Sequence, residues 1–304
     1  MITAETQITP TSMGGTVRQY FWSWNGQPIS VTYENLGNGS AVLLLPAMST
    51  VSTREEMTGL AKTLSAQFQV TALDWPGFGQ SSRLPLAYSP ALYHQFLQDF
   101  VQAVFDHPVT VIAAGHAAGY VMQLAHHQPG VWSRIVLVAP TWRGPLPTMG
   151  ASPQLAGMVR QLVRSPLLGQ LLYALNTLPA FLRWMYQRHV YVDPAKLTPD
   201  LIAHKHQITQ HPGARFAPAA FVTGALDPAR SREEFLAWFQ PLSIPVMAIL
   251  PEQAPPKSKA EMDALAQIAS VQTQRLPGTL GLHEEFATAV AAAIAPFLGL
   301  NRCN

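Results

Sequence analysis

The chain has little charge and almost no cysteine. Asp, Glu, Lys and Arg together make up 12% of its 304 residues, which excludes the charge-rich composition of long disordered segments. A formal net charge of +2 excludes the broad basic field of a nucleic-acid binder, so no nucleic-acid partner is expected. The single cysteine, Cys303, cannot form an intramolecular disulfide, and a reducing compartment, the cytoplasm, is the expectation. Residues 1–16 lack both the basic start and the apolar run of a secretory signal and read as a flexible lead-in. The nearest approach to a membrane span is the charge-free stretch 165–182. It carries Gln170, Asn176, Thr177 and Pro179, which a spanning helix tolerates poorly. No phosphate-cradling glycine loop is present. His204 and His206 are two residues apart and would not share a helix face, even with His211 near. No cofactor and no metal are therefore expected.

What the chain does have is apolar residues, at 48%, enough for a large core. Alternating segments at 20–24 and 29–33 flank Asn25-Gly26, a dipeptide suited to a type I′ turn, so the chain opens with a predicted β-hairpin. Buried strands are predicted at 41–45, 69–73, 109–113, 135–138, 245–250 and 271–276. Helices are predicted from Thr53 as N-cap with Glu55 and Glu56 in the first turn, at 90–105, after a Gly/Ala-rich turn through about 126, and at 259–268 and 284–298. Apolar strands alternating with helices imply an α/β fold: a mostly parallel central sheet flanked by helices. Its ligand site is expected beyond the carboxyl ends of the strands.

Between 143 and 241 the alternation stops, and a helical, proline-rich stretch interrupts the sheet. The organisation read from the sequence is a core of 17–142 and 242–300 with 143–241 inserted as a helical cap. From Ala151 to Val192 the cap has no acidic residue but includes Arg160, Arg164, Arg183 and Arg188 among many leucines and aromatics. Such helices can roof an apolar pocket or lie in an anionic membrane interface.

The strand at 109–113 runs into Gly115-His116-Ala117-Ala118-Gly119 and then a helix. A strand–Gly-x-Nu-x-Gly–helix turn lifts one side chain to the top of a sheet and aims the next backbone N–H at the site. With this motif go the loop after Leu45, the run Asp74-Trp75-Pro76-Gly77-Phe78-Gly79, and a terminal strand, glycine loop and helix. Together they resemble the α/β-hydrolase superfamily over about 20–298. More narrowly, Leu45-Pro46-Ala47-Met48-Ser49-Thr50, the Asp74–Gly79 run and Ala139-Pro140-Thr141-Trp142-Arg143-Gly144-Pro145 resemble a little-characterised branch from cyanobacteria and chloroplasts.

The superfamily's chemistry needs a nucleophile, a histidine base and an acid that orients it. By motif register the resemblance puts Ala117 at the nucleophile position, Ala254 at the acid position and Leu280 at the base position. None of the three can do the chemistry, which is not the pattern of a single disabling substitution. The oxyanion-type donors would be the backbone N–H groups of Met48 and Ala118. His283 is the alternative base and Glu252 the alternative acid, and His283 can equally be a packed residue at the start of the last helix. Ser49, His116, Trp75 and Trp142 are expected to line the pocket, although His116 also suits a structural place beside the turn. Asp74 reads as a turn-former, and Asp227, Glu233 and Glu234 as a solvated, ion-paired face.

Three functions follow as expectations. The first is a non-catalytic pseudoenzyme that binds an apolar small molecule, or a protein partner, beneath its cap. The second is a triad-independent hydrolase, lyase or isomerase using His283. The third is a scaffold attached to a membrane surface through the cap.

Overall fold

Asn25 and Gly26, at φ of 48° and 77°, turn β1 (Thr16–Trp24) back onto β2 (Gln27–Leu36) as an antiparallel pair. Two positive φ angles in succession are what a type I′ turn requires. The computed structural model describes residues 13–300. Most of the lead-in and Cys303 lie outside the described residues. Met13 and Gly15 donate backbone hydrogen bonds to Glu34 Oε1 at 3.0 and 2.8 Å.

Six further strands complete one eight-stranded sheet: β3 (Ser40–Leu45), β4 (Phe68–Leu73), β5 (Val109–Ala114), β6 (Trp132–Val138), β7 (Val246–Pro251) and β8 (Val271–Leu276). Their order is β1-β2-β4-β3-β5-β6-β7-β8. β1–β2 and β2–β4 pair antiparallel, and every other pair is parallel. Alternation along the strands divides the core in two. Leu43, Leu45, Val111, Ala113, Ile135 and Leu137 join the larger apolar cluster, whereas Val42, Leu44, Ile112, Ala114, Val136 and Val138 join the other.

Helices cover both faces. α1 (Thr58–Leu64) follows a short 3-10 turn at Arg54–Met57. Thr53 precedes that turn with no side-chain capping bond. α2 (Pro90–Val104), capped by the Ser89 side chain, and α3 (Ala117–His127) bury aromatic and small residues on the larger cluster.

Between β6 and β7 the chain is helical. It forms α4 (Pro145–Met149), α5 (Pro153–Arg164), α6 (Leu167–Asn176), α7 (Pro179–His189), α8 (Pro199–Thr209), α9 (Phe216–Val222) and α10 (Arg232–Ala237). Prolines at the first turns of α4, α5, α7 and α8 fix each start without forfeiting a helical hydrogen bond. α11 (Pro256–Leu265) separates β7 from β8. The terminal helix predicted as one piece is two, α12 (Leu282–Glu285) and α13 (Ala287–Ile294), broken at Phe286 with φ −124° and ψ 37°. No helix is long and apolar enough to cross a membrane among the described residues.

Candidate functional site

At the carboxyl end of β5 the backbone turns sharply, and the residue in the left-handed region is Gly115, with φ +52°. Ala117 is the first residue of α3. The strained corner therefore lies two residues upstream of the position read from the motif. The physical reason is that β5 runs one residue further than predicted, through Ala114, and the helix starts at once. Gly115 N–H donates to Val138 O at 2.9 Å, and Gly115 O accepts from Thr141 N at 3.0 Å. The corner is thus stitched to the end of β6. A Cβ placed on Gly115 would come within 2.9 Å of Ala47 Cβ in the loop after β3. Space at the corner is closed by that loop, and no side chain projects from it.

Ala118 N–H donates to Gly115 O at 3.2 Å, so it closes the first helical turn and does not serve as a free oxyanion donor. Met48, next to Ala47 in the chain, is buried. Gly119 is small for a packing reason: a Cβ there would lie 2.2 Å from Pro228 Cγ, where the insertion returns over α3. A second strained residue, Ala139 at φ 47°, ends β6 beside the corner. Non-glycine residues rarely adopt this region.

His116 is fully enclosed. Its Nε2 donates to Leu226 O at 2.8 Å, the same carbonyl that accepts the Tyr120 hydroxyl at 2.7 Å. His116 Nδ1 has no partner among the described residues. Burial lowers the His116 pKa to about 4, against a partial restoring effect of the Leu226 carbonyl. Asp227 Oδ1 stands 3.6 Å from His116 Nε2, and the side chain is only 14% exposed. Burial raises the Asp227 pKa to about 7, although the Gly144 N–H at 2.7 Å and Arg143 pull it down. This corrects the reading of Asp227 as part of a solvated face. Its proximity to the corner was not visible because 110 residues separate His116 from the Leu226 carbonyl it bonds. Glu234 does keep a surface role, accepting the Arg230 N–H at 2.7 Å.

The expected acid and base loops are zipped by backbone and amide groups. Gln253 N–H donates to Gly278 O at 2.9 Å, and Gly278 N–H donates to Gln253 Oε1 at 2.6 Å. Ala254 is buried, Leu280 packs against the larger cluster, and Glu252 is exposed. His283 pairs with Glu56, Nε2 to Oε2 at 3.4 Å, while His283 Nδ1 has no partner among the described residues. Lys205 on α8 joins this buried cluster, 2.8 Å from Glu284 and 3.8 Å from Glu56. Burial pushes the Glu56 carboxyl up, with Lys205 and His283 opposing. Burial opposes charge on Lys205 too, but Glu284, Tyr186 and Glu56 more than offset it. His283 therefore sits in an ion-paired joint between α12, α8 and the turn at Arg54–Met57. Glu55, next in sequence, bonds His204, and His206 Nδ1 donates to Thr177 O.

Of the expected pocket residues, Trp75 is wholly buried, with its indole N–H on Pro46 O at 3.0 Å and its ring against Tyr93, Phe96 and Tyr120. It is a core residue. Ser49 Oγ accepts the Val51 N–H, a turn role. Trp142 lines a cleft of ≈ 260 Å³ with Arg143, Thr148 and Lys257, and its indole N–H bonds Glu261. Asp74 does more than form its turn. It accepts backbone N–H bonds from Arg54 and Gln80 and pairs with the Arg54 guanidinium, which also binds Glu34. A larger cleft of ≈ 590 Å³ opens between α5, the α9 region and the segment leading into α2, lined by Tyr88, Arg160, Gln161, Arg164, Ala220 and Ala225, among others.

A family model described as alpha/beta hydrolase fold matches residues 40–217. Three solved structures are similar over nearly their whole length. Cfl2 from Burkholderia cenocepacia is 18% identical with a TM-score of 0.73, covering 97% of this chain and 99% of that one. A thermophilic esterase from Thermogutta terrifontis is 17% identical with a TM-score of 0.71, covering 92% and 98%. The enol-lactonase from Burkholderia xenovorans is 16% identical with a TM-score of 0.69, covering 92% and 100%. Identities this low show the shared fold alone. An uncharacterized protein of Mycobacterium tuberculosis is 31% identical over 103 residues, 34% of this chain and 30% of that protein. The match thus spans under a third of that relative's length.

Proposed function

This chain belongs to the alpha/beta hydrolase fold family, and on that premise we propose that it is a member without a Ser-His-Asp triad, which binds an apolar small molecule beneath the helices inserted between β6 and β7. The observation that carries the reading is Gly115. The one residue at the strained strand-to-helix corner has no side chain, and Ala47 closes the space a nucleophile would need. Covalent acyl transfer requires an attacking atom there. Supporting it, Gln253 and Gly278 bond each other where an acid and a histidine would meet, and His283 is committed to Glu56. The cleft beside α5, at ≈ 590 Å³, is within the size range of small-molecule sites. Its walls combine alanine methyls and the Tyr88 ring with the Arg160 guanidinium, which suits an apolar molecule with a polar or anionic end.

The test has two measurements. A fluorophosphonate probe added to the purified protein is expected to leave it unlabelled; stoichiometric labelling would sink the reading. Native mass spectrometry of the protein from its own host is expected to show a co-purifying apolar molecule. An Arg160→Glu variant, whose carboxylate enters the cleft wall, should lose that molecule.

A second reading, catalysis without a triad, is favoured by one pair. His116 and Asp227 lie beside the corner with pKa values of about 4 and about 7, and perturbed groups of this kind gather at functional sites. It replaces His283 as the group to test. Turnover of an ester or lactone that disappears in Asp227→Asn would establish it.

A further inference from the structure

Large apolar side chains left in solvent are concentrated in one place. Apart from Phe21, those exposed among the described residues all lie between Met149 and Val192. They recur at helical spacing on three consecutive helices. α5 exposes Leu155, Met158 and Leu162; α6 exposes Leu167, Leu171 and Leu175; α7 exposes Phe181 and Trp184. Steps of three and four residues put each set on one side of its helix. These are not marginal exposures: Leu167 is 88% exposed and Met158 64%. α5 packs beside α6 and α6 beside α7, and soluble monomers rarely leave large apolar surface of this kind in solvent without a use for it.

The charge carried by these three helices has one sign. No acidic residue occurs between Asp106 and Asp193. Two of the four arginines between Ala151 and Val192 are taken up internally: Arg164 donates to the carbonyls of Leu86 and Pro85, and Arg183 donates to Leu197 O. The exposed cation among them is Arg188, whose guanidinium carbon lies 5.7 Å from the centroid of the Trp184 ring. Phe181 packs against the same ring at 5.7 Å. Indole rings favour the boundary between lipid headgroups and acyl chains, and a guanidinium beside them reaches lipid phosphates.

We propose that the exposed face of α5, α6 and α7 seats the protein in the plane of an anionic lipid bilayer. The longest of these helices has 12 residues, so they lie on the surface and do not cross it. The occupant is a lipid surface because the face is apolar and aromatic, and the helices that carry it have arginines but no acidic residue. A second copy of the chain would bring like charge against like. The inference is independent of Gly115, since nothing at the corner contributes to the face.

The experiment is co-sedimentation of the whole protein with vesicles of phosphatidylglycerol, and in parallel of phosphatidylcholine, at low and high salt. The expected result is binding to phosphatidylglycerol, weakened in high salt and on phosphatidylcholine. The double variant Leu167→Glu/Leu171→Glu, on exposed positions, is expected to lower the partition coefficient at least about tenfold with an unchanged melting temperature. Arg188→Glu should lower it about fivefold or more, the equivalent of one surface arginine. Gly115→Ser should leave it unchanged. Absence of binding to phosphatidylglycerol, or undiminished binding by the double variant, overturns the proposal. So does a dimer in light scattering that the double variant abolishes in a protein indifferent to vesicles.

Discussion

His116 Nε2 lies 3.6 Å from Asp227 Oδ1, the distance of an ion pair, yet burial holds both groups towards their uncharged forms. The His116 pKa is about 4 and the Asp227 pKa about 7. Two neutral groups at this separation gain little from each other. Their hydrogen bonds go elsewhere, to Leu226 O and from Gly144 N–H.

That arrangement has a pH signature. Asp227 titrates near 3.8 when unfolded and about 7 when folded, so the unfolded chain gives up its proton first. Stability falls as pH rises from about 4 to 7, by roughly 4 kcal/mol in all. His116, with a folded value of about 4 against 6.5, acts the other way. Its contribution is present above pH 6.5 and is lost as pH falls towards 4, roughly 3 kcal/mol. The two slopes oppose each other between pH 4 and 6.5. Asp227→Asn keeps an acceptor for Gly144 and removes one slope. Denaturant unfolding should show it gaining stability over the natural protein as pH rises, with a difference of a few kcal/mol at pH 8. A difference that does not change with pH would refute the assignment.

Lys205 offers a test of the joint between α8 and α12. Lys205→Met leaves Glu56 buried with no ammonium near it, and unpairing a buried charge typically costs 3–5 kcal/mol. Adding Glu56→Gln removes that charge, so the double variant should recover part of the loss. Equilibrium unfolding of the two single variants and the double completes the cycle. Additive losses would mean that the two side chains act separately.

Gly115→Ser restores a hydroxyl at the corner without restoring chemistry. The left-handed backbone and the 2.9 Å approach to Ala47 Cβ predict a loss of about 1–3 kcal/mol. On the proposed reading fluorophosphonate labelling should remain absent, because Leu280 and Ala254 at the expected base and acid positions supply neither. Calorimetry and mass spectrometry on one sample read both outcomes.

Gly119→Ala probes a contact that the motif disguised. An added methyl meets the Pro228 ring at 2.2 Å, and the ring cannot rotate away. Overpacking of this type costs about 1–3 kcal/mol, measurable by thermal melting. Ala118→Gly, next to it on the helix, should cost only the roughly 1 kcal/mol of helix propensity.

Most of the scaffold was legible in the residues. Asn25-Gly26 fixed the hairpin, and short apolar runs located the parallel strands, because alternation and turn chemistry are local. The corner was legible to within two residues. Its motif has glycine at both ends and alanine between, and φ alone distinguishes the glycine that bends the chain from the one that admits Pro228. The Asp227 neighbourhood was not legible, because it depends on where the insertion returns. Nor were the fates of Arg164 and Arg183: their positive charge is visible in sequence, but the carbonyls they bond are supplied by tertiary structure.

The joint of Glu56, Lys205, Glu284 and His283 also bears on how the proposed ligand would enter. It ties α8 to the loop after β3 and to α12, and Thr279 and Gly281 add bonds to the His189 and Val190 carbonyls at the end of α7. Swinging the insertion away at that end would strand a lysine and two carboxylates outside their pairing. At α5 the bonds named above are two arginine contacts to backbone carbonyls. On the proposed reading, the α8 end would be the hinge and the α5 end the door. If α5 rests on a bilayer, that door opens directly onto the lipid.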